Sequence, residues 1–322
     1  QGGTVVAGAP SSGDPIPATG AVGFVTSAGG WTVSDVIRPS LGGGGGTSVA
    51  AGEGWAVLGA PTAWTRHGPS GIVTIAQRTA NGWTTSATVQ RDAASSGDEF
   101  GASVDIHSVG LIAAGAPGQG SGAVHLVLPA GWLGTVISAP PGTSADARFG
   151  ASVSFAHNHL VIGAPGDDAD GVDAGALFVV SLNDPNYTVH RVDSSTNPPA
   201  AGDGLGTSVA GKETGWGPTF ALAGAPGRDT PYTNAGGALA VRQAASGGWE
   251  LAPGPVWLPS GAWVGDRWGT SVALSDDVAV LGAPSATRSG ASAMGMASIF
   301  TPSGAEDVTL IASDGAAGDR FG

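Results

Sequence analysis

The sequence contains no cysteine and a single lysine, Lys212, in 322 residues. Without cysteine the chain has no disulfide bonds and no thiolate metal sites, so packing and strand pairing must hold the fold together. No run approaches the roughly 18 consecutive apolar residues of a membrane helix, and the first residues lack the basic and apolar segments of a signal peptide. The sequence therefore predicts no membrane insertion.

Charged residues are also scarce, at 11% of the chain, and they are unbalanced: 12 Lys and Arg stand against 25 Asp and Glu, for a net charge of −13. This excess of negative charge opposes contact with phosphate backbones and anionic lipids, so we expect no nucleic-acid partner. A surface of Ser, Thr and Gly with one lysine is typical of exported proteins. We therefore expect a secreted protein, extracellular or on the cell surface.

Glycine and proline are abundant, with 57 and 22 residues, while 41% of the chain is hydrophobic. Disordered chains rich in glycine and proline lack this apolar content, so the composition predicts a folded protein with many turns. Short β-strands are the usual partner of dense turns.

The tripeptide Gly-Ala-Pro occurs six times, each time after a short aliphatic run such as 159–162 that is typical of a buried strand. The copies are Gly8 to Pro10, Gly59 to Pro61, Gly115 to Pro117, Gly163 to Pro165, Gly224 to Pro226 and Gly282 to Pro284. A fixed repeat of this kind must be interpreted before any single residue, because it determines the architecture.

Three further elements accompany each Gly-Ala-Pro. Upstream lies Gly-(Ala/Thr)-Ser-Val, usually after Phe, Trp or Leu, and downstream lies a strand that begins at glycine. A fourth element often opens on Gly-Trp, as at Trp31, Trp83, Trp132 and Trp249, whose rings we expect to pack in the core or between blades. Four strands per repeat is the content of a propeller blade, and the upstream glycines, spaced 49 to 63 residues apart, are Gly46, Gly101, Gly150, Gly206, Gly269 and Gly322.

Together these motifs resemble the FG-GAP repeat of integrin α-subunit propellers and related secreted propellers. The resemblance covers essentially the whole chain and implies an all-β fold: a single β-propeller domain over residues 1–322, built from four-stranded antiparallel blades. For function it implies a non-enzymatic module of adhesion, protein interaction or surface assembly. A carbohydrate-binding lectin is the alternative, and an accessory domain of a secreted hydrolase is a further one.

The ends of the chain resemble two halves of one blade, because Phe321-Gly322 begins a signature and residues 1–10 contain a Gly-Ala-Pro without one. Joining the N- and C-terminal segments closes a ring of six blades. Elsewhere, 13 to 18 residues separate the glycine of Gly-(Ala/Thr)-Ser-Val from the glycine of the next Gly-Ala-Pro. Across this join the corresponding interval, from Gly322 to Gly8, is shorter. The sequence is therefore also compatible with a fragment of a longer, seven-bladed chain.

Calcium is the cofactor to consider, since the family often carries an Asp-rich loop between the two signatures, but every repeat here departs from that pattern. We therefore expect no cofactor, with one alternative: calcium in the loop after Gly163–Pro165, where Asp167, Asp168, Asp170 and Asp173 offer closely spaced oxygens around Gly171. Without a cation or a nearby arginine these carboxylates repel one another. An Asp recurs three residues before the glycine of the Phe-Gly (FG) signature, the glycine that opens Gly-(Ala/Thr)-Ser-Val. We expect it to cap a turn, as at Asp98, Asp203, Asp266 and Asp319.

No catalytic motif is found. The chain has neither an HExxH nor a GxSxG sequence, and only His157 and His159 among its histidines lie close enough to suggest a zinc pair, for which a surface pair is the simpler interpretation. The sequence predicts a protein that is not an enzyme.

Binding residues are sought in the loops that this family gathers on one face of the propeller. Aromatic rings beside Arg, Asp and Asn suit a protein or glycan partner. The candidate ligand-binding residues are Trp64, Arg66, Arg228, Tyr232, Trp263 and Arg288.

Overall fold

The computed structural model describes residues 4–9, 21–26, 32–37, 43–52, 54–212, 221–288, 290–301 and 303–322. These segments contain strands and turns and no helix. In the first half of the chain the strands are β1 (Thr4–Ala9), β2 (Ala21–Thr26), β3 (Thr32–Ile37), β4 (Ser48–Gly52), β5 (Trp55–Ala60), β6 (Trp64–Thr65), β7 (Gly68–Pro69), β8 (Ile72–Thr79), β9 (Gly82–Val89), β10 (Val104–Ile106), β11 (Ile112–Ala116), β12 (Ala123–Val127) and β13 (Leu133–Ser138). In the second half they are β14 (Ser152–Ala156), β15 (His159–Ala164), β16 (Ala176–Ser181), β17 (Val189–Arg191), β18 (Ser208–Gly211), β19 (Ala221–Gly224), β20 (Ala238–Gln243), β21 (Trp249–Leu251), β22 (Ser271–Leu274), β23 (Ala279–Ala283), β24 (Met296–Phe300) and β25 (Glu306–Leu310).

Consecutive strands form the sheets. Five sheets have four strands, in the orders β4-β5-β8-β9, β10-β11-β12-β13, β14-β15-β16-β17, β18-β19-β20-β21 and β22-β23-β24-β25. A three-stranded sheet, β1-β2-β3, precedes them. Neighbouring strands pair antiparallel, for example with Gly115 opposite Val124 between β11 and β12. The all-β class and the repeat of four antiparallel strands are confirmed.

One element was not predicted. A two-stranded ribbon, β6-β7, is inserted between the second and third strands of the sheet β4-β5-β8-β9. Its pairing joins Trp64 to Pro69 and Thr65 to Gly68 around a tight turn. Strands of two residues carry too little alternation of apolar and polar side chains to be recognised in a sequence.

The chain divides into two compact units, the first Gln1–Ala139 with Arg148–Val153 and the second Pro140–Ala147 with Ser154–Gly322. Within each unit the core lies between consecutive sheets. In the first unit Ile75 of one sheet, Phe100 of the following turn and Ile112 of the next sheet belong to one buried cluster. In the second unit Val179 and Leu239 share a similar cluster. The prediction of a single domain stays a prediction.

The two glycine signatures meet where one repeat follows another. Gly101 donates its N–H to the carbonyl of Gly115 in the same repeat at 2.8 Å, and the hydroxyl of Ser103 donates to the carbonyl of Gly150 in the next repeat at 2.8 Å. A Cβ on Gly115 would overlap that same carbonyl oxygen of Gly150. Glycine is therefore required at this position because the next backbone occupies the space of a side chain. The same serine bond recurs as Ser48 to Gly101 and Ser208 to Gly269.

The tryptophans of the fourth strands differ in their surroundings. Trp83 and Trp249 are partly buried and pack against core clusters, as predicted. Trp132 is 72% exposed, so the expectation of core packing is wrong for this ring. It precedes β13, whose side chains are mostly exposed. Trp31 lies outside the described residues.

Candidate functional site

The aspartate before each FG signature caps a turn. Asp98 accepts a hydrogen bond from the N–H of Ser95 at 2.6 Å, and Asp203 accepts one from Ala200 at 2.9 Å. The predicted role of these aspartates is confirmed, since each carboxylate satisfies a backbone donor three residues earlier. The same bond joins Asp266 to Trp263 and Asp319 to Ala316.

Three of these aspartates also pair with an arginine. Arg91 contacts Asp98 at 2.7 Å with both side chains 7% exposed. Arg228 pairs with Asp203, and Arg288 with Asp266, at 3.0 and 3.1 Å. Burial raises the pKa of Asp203, although the Ala200 N–H and Arg228 act in the opposite direction. The sequence did not indicate these pairs, because the arginine precedes its aspartate in the same loop in one case and follows it by more than 20 residues in the other two.

Two loops of the second unit, 226–236 and 259–268, are joined by backbone hydrogen bonds. The N–H of Gly265 donates to Thr233 and that of Arg267 to Asn234, at 3.0 and 3.1 Å. Within the first loop the N–H of Asn234 also donates to the carboxylate of Asp229 at 2.8 Å. Each loop is therefore held in one conformation by its partner and by its own turns.

These loops bring Tyr232 and Trp263 together. Their ring centroids are 5.1 Å apart and the rings are tilted by 44°. Tyr232 is 40% exposed and Trp263 60% exposed, and the neighbouring Val264 is exposed as well. Aromatic side chains that contact one another on a fixed frame supply a large contact area with little loss of rotamer freedom. We call this pair of rings the aromatic surface.

The other predicted ligand-binding residues have different surroundings. Arg228 belongs to the first of these loops and Arg288, from the loop after β23, contacts the second, but their guanidinium groups are engaged by Asp203 and Asp266 and by backbone carbonyls. Trp64 and Arg66 belong to the first unit. Arg66 pairs there with Asp92 at 2.7 Å in an exposed contact, while Trp64 is exposed on the ribbon β6-β7. Of the six candidates, the structure brings only Tyr232 and Trp263 together as exposed side chains.

The acidic loop after Gly163–Pro165 contains its own counterion. Arg191 contacts the fully buried Asp167 at 2.7 Å and Asp170 at 3.0 Å. Asp168 accepts a hydrogen bond from the N–H of Asp173. The arginine that relieves carboxylate repulsion in this loop is thus Arg191, from strand β17. Among the described residues no group of three or more acidic or histidine side chains is arranged to hold a metal ion.

This arrangement predicts a loop that is independent of calcium. Because Arg191 already pairs with Asp167 and Asp170 and occupies the space between them, the melting temperature should be the same in excess calcium and in chelator. Arg191→Gln should lower the free energy of unfolding by about 3 kcal/mol, since it leaves a buried carboxylate without its partner. Calorimetry in both buffers provides the measurement. A lower melting temperature of the unmodified protein in chelator would contradict the prediction.

The two neighbouring histidines do not form an isolated surface pair. His159 makes an edge-on contact with Trp249, with ring centroids 5.0 Å apart. Burial lowers the pKa of His159, and the nearby His157 lowers it further. His159 is therefore part of the packing between β15 and β21.

His125 lies in the core of the first unit. It is 4% exposed on β12, hydrogen-bonded to Gln119 at 2.9 Å and edge-on to Phe100. Burial lowers its pKa to about 4, and the positive charge of Arg91 contributes in the same direction. The folded protein therefore holds this imidazole neutral at a pH where an unfolded chain would protonate it.

The lowered pKa predicts a loss of stability in mild acid. As the pH falls below the ordinary pKa of histidine, the unfolded state binds a proton at His125 and the folded state does not. The resulting loss of unfolding free energy is complete near pH 4, where the folded state binds the proton as well. Relative to His125→Gln, the protein should lose about 2 kcal/mol of unfolding free energy between about pH 7.5 and pH 5. Urea unfolding at both pH values measures this difference. His190→Gln, at an exposed position on β17, is the control; an equal pH dependence in the protein and in His125→Gln would refute the assignment.

Sequence comparison agrees with this geometry. The family model of the FG-GAP repeat matches residues 136–180 and 258–300. The first match contains Phe149-Gly150 and Gly163 to Pro165, and the second contains Trp268-Gly269 and Gly282 to Pro284. These two segments therefore match the FG-GAP repeat, and both belong to four-stranded antiparallel sheets. No curated protein sequence matches the chain, and the described segments contain no helix long and apolar enough to cross a membrane.

Proposed function

We propose that this chain is a non-catalytic interaction module that binds a protein partner through the aromatic surface of its second unit. The observation that supports this role is the placement of two exposed rings on a frame that does not need them. Folded proteins rarely expose large contiguous apolar surfaces, and patches of this kind often mark interaction sites.

The repeats supply the comparison that isolates the rings from the fold. The backbone N–H that donates to the turn-capping aspartate belongs to Trp263 in one repeat, but to Ser95, Ala200 and Ala316 in the others. Small residues therefore suffice to build the turn. Tyr232 also has a small residue as its counterpart. The carbonyl of Thr233 accepts a hydrogen bond from the N–H of Gly265, and the carbonyl of Val172 accepts the equivalent bond from Gly202. The residue that corresponds to Tyr232 is therefore Gly171, which precedes Val172.

Composition also supports a binding role. Tyr and Trp are enriched where interfaces carry most of their energy, and they cluster in rigid, well-packed frames. Here the turn of Trp263 is fixed by the buried Asp266, which is in turn held by the partly exposed Arg288. A preordered surface loses less conformational entropy on binding than a mobile loop.

Selection from a phage-displayed random peptide library on the immobilised protein tests this function. Selected peptides should bind the protein and lose about tenfold or more in affinity on Trp263→Ala, because a central aromatic contact contributes about 2 kcal/mol. Trp132→Ala, which removes an exposed ring in the first unit, is the matched control. If selected peptides bind both variants equally, or if no peptide is enriched, the proposal is wrong.

Carbohydrate binding is the second candidate, because an exposed tryptophan face can stack on a sugar ring. A glycan array with the protein and with Trp263→Ala decides this alternative. The assignment as a non-enzyme would be overturned by hydrolysis of polysaccharides or phosphoesters that is abolished by one loop substitution.

We further propose that six blades close into a ring, and that the module acts outside the cell or at its surface in adhesion or assembly. The first sheet, β1-β2-β3, contains the second to fourth strands of a repeat, while Phe321 pairs with Gly295 as Phe149 pairs with Gly122. These features support a blade that is shared by both ends. A crystal structure would count the blades, and fractionation of the source cells would locate the protein.

A further inference from the structure

The aromatic surface is fitted to one class of partner. Resting on the function proposed above, we propose that it binds a basic protein segment and places a lysine or arginine side chain against the rings of Tyr232 and Trp263. Three features of the molecule support this partner: the exposed rings, the pairing of the nearby charges and the distribution of charge between the two units.

The rings present the chemistry that attracts a cation. A tilt of 44° at 5.1 Å means that neither ring is stacked flat against the other, and both rings are substantially exposed. The face of an aromatic ring carries negative electrostatic potential, and tryptophan attracts cations most strongly of the aromatic side chains. A guanidinium or ammonium group can thus contact ring faces that no residue of the frame requires.

The charged side chains on and beside the two loops favour neither a basic nor an acidic partner strongly. The charges of Arg228 and Arg288 are neutralised by Asp203 and Asp266. Asp229 on one loop and the exposed Arg267 on the other remain, and they have opposite signs. The charges of the two loops themselves therefore cancel, and Glu306, which accepts a hydrogen bond from the N–H of Ser260, adds a negative charge beside the second loop.

At longer range the second unit decides the sign. It contains 18 of the chain's 25 acidic residues and 7 of its 12 basic ones, so nearly all of the net charge of −13 belongs to the unit that carries the rings. A field of this size attracts positively charged segments and accelerates their encounter, and it repels acidic ones. A basic segment satisfies both the rings and the surrounding field.

Arg267 provides a residue-level test of this assignment. It follows Trp263 on the same loop, is exposed, and makes no ion pair among the residues that the structure describes. Its own charge opposes a basic ligand, so Arg267→Gln should strengthen binding of that ligand by about threefold. Gly204 precedes Leu205 at the equivalent position of the preceding repeat and donates the same backbone bond, to Asp173. The frame therefore does not depend on the arginine side chain.

Three pools of fluorescently labelled random peptides, equal in length and differing only in fixed net charge, are the probes. Fluorescence anisotropy at low salt should show the basic pool binding about tenfold more tightly than the neutral pool, and the acidic pool more weakly than either. Trp263→Ala and Tyr232→Ala should each weaken the basic pool by about fivefold to tenfold. Trp132→Ala should leave the affinity for the basic pool unchanged, and a higher salt concentration should lower that affinity.

The outcomes separate this inference from the function on which it rests. If the neutral or acidic pool binds best and still depends on Trp263, the interaction function stands and the basic partner is refuted. If the basic pool binds Trp263→Ala and Tyr232→Ala as tightly as it binds the unmodified protein, the peptides adsorb to an acidic surface and the inference is overturned. If no pool binds, both proposals fail. Urea unfolding confirms that the variants fold, as the small residues at matching turns predict.

Discussion

Replacing Arg91 with leucine should lower the free energy of unfolding by about 3 to 5 kcal/mol, because the change leaves the carboxylate of Asp98 buried without its counterion. Both side chains of this pair are 7% exposed and the two atoms lie 2.7 Å apart. The loss of one partner in such a pair exposes the full cost of a desolvated charge. Urea unfolding at about pH 7.5, where His125 is neutral in the folded protein, gives the value.

The chain offers a control of the same chemistry. Arg66 and Asp92 are also separated by 2.7 Å, but their side chains are 65% and 98% exposed. Solvent screens that pair, so Arg66→Leu should cost less than about 1 kcal/mol. The two replacements differ in burial and not in distance, and equal effects would show that burial does not determine the strength of the Arg91 pair.

The double replacement Arg91→Leu with Asp98→Asn separates the charge from the turn. Asparagine keeps an oxygen that can accept from the N–H of Ser95, as Asp98 does, but it carries no charge. We expect the double variant to recover a large part of the stability lost in Arg91→Leu, because replacing both ions avoids an unpaired buried charge. A double variant as unstable as the single one would contradict this reasoning.

Gly115→Ala should destabilise the protein by about 3 kcal/mol or more, because the added methyl group overlaps a backbone carbonyl that has no rotamer to change. A Cβ at this position would meet the oxygen of Gly150 and the hydroxyl of Ser103. The hydroxyl belongs to the serine that bridges the two repeats. The methyl group therefore opens the junction between repeats, and the loss should appear as an earlier midpoint in urea unfolding.

Gly261→Ala is the matched control, since it adds the same methyl group where nothing lies within 4 Å. Its backbone also lies outside the left-handed region that favours glycine, so we expect a change within about 0.5 kcal/mol. Similar midpoints for the two variants would show that the contact between Gly115 and Gly150 does not restrict the backbone.

Most of the fold followed from local signals. The proline of Gly-Ala-Pro has no N–H to donate to a ladder, so it ends the second strand, and β5, β11, β15 and β23 each end on the alanine before it. The repeat of these signals predicted four strands per sheet. The ribbon β6-β7 and the exposed Trp132 were missed, because neither has a periodic pattern that distinguishes it from a loop or from a packed strand.

The site was predicted only in part. Exposed aromatic and charged residues in loops suggested binding, and Tyr232 with Trp263 remain candidates. Arg228 and Arg288 looked equivalent to Arg66 in the sequence, yet each is paired with a buried aspartate, whereas Arg66 is paired with an exposed one. Nothing in the residue type distinguishes a solvent-exposed guanidinium from one that supports a turn.

The sequence by itself determined where strands end and where glycine must stand, because proline and glycine act on their own backbone, whatever the rest of the chain does. The tertiary structure decided which aspartate meets which arginine and that Tyr232 lies against Trp263. Tyr232 and Trp263 come from loops that are far apart in sequence and are joined by backbone hydrogen bonds such as Arg267 to Asn234. Their contacts depend on distances in space, and no local pattern of residues encodes such distances.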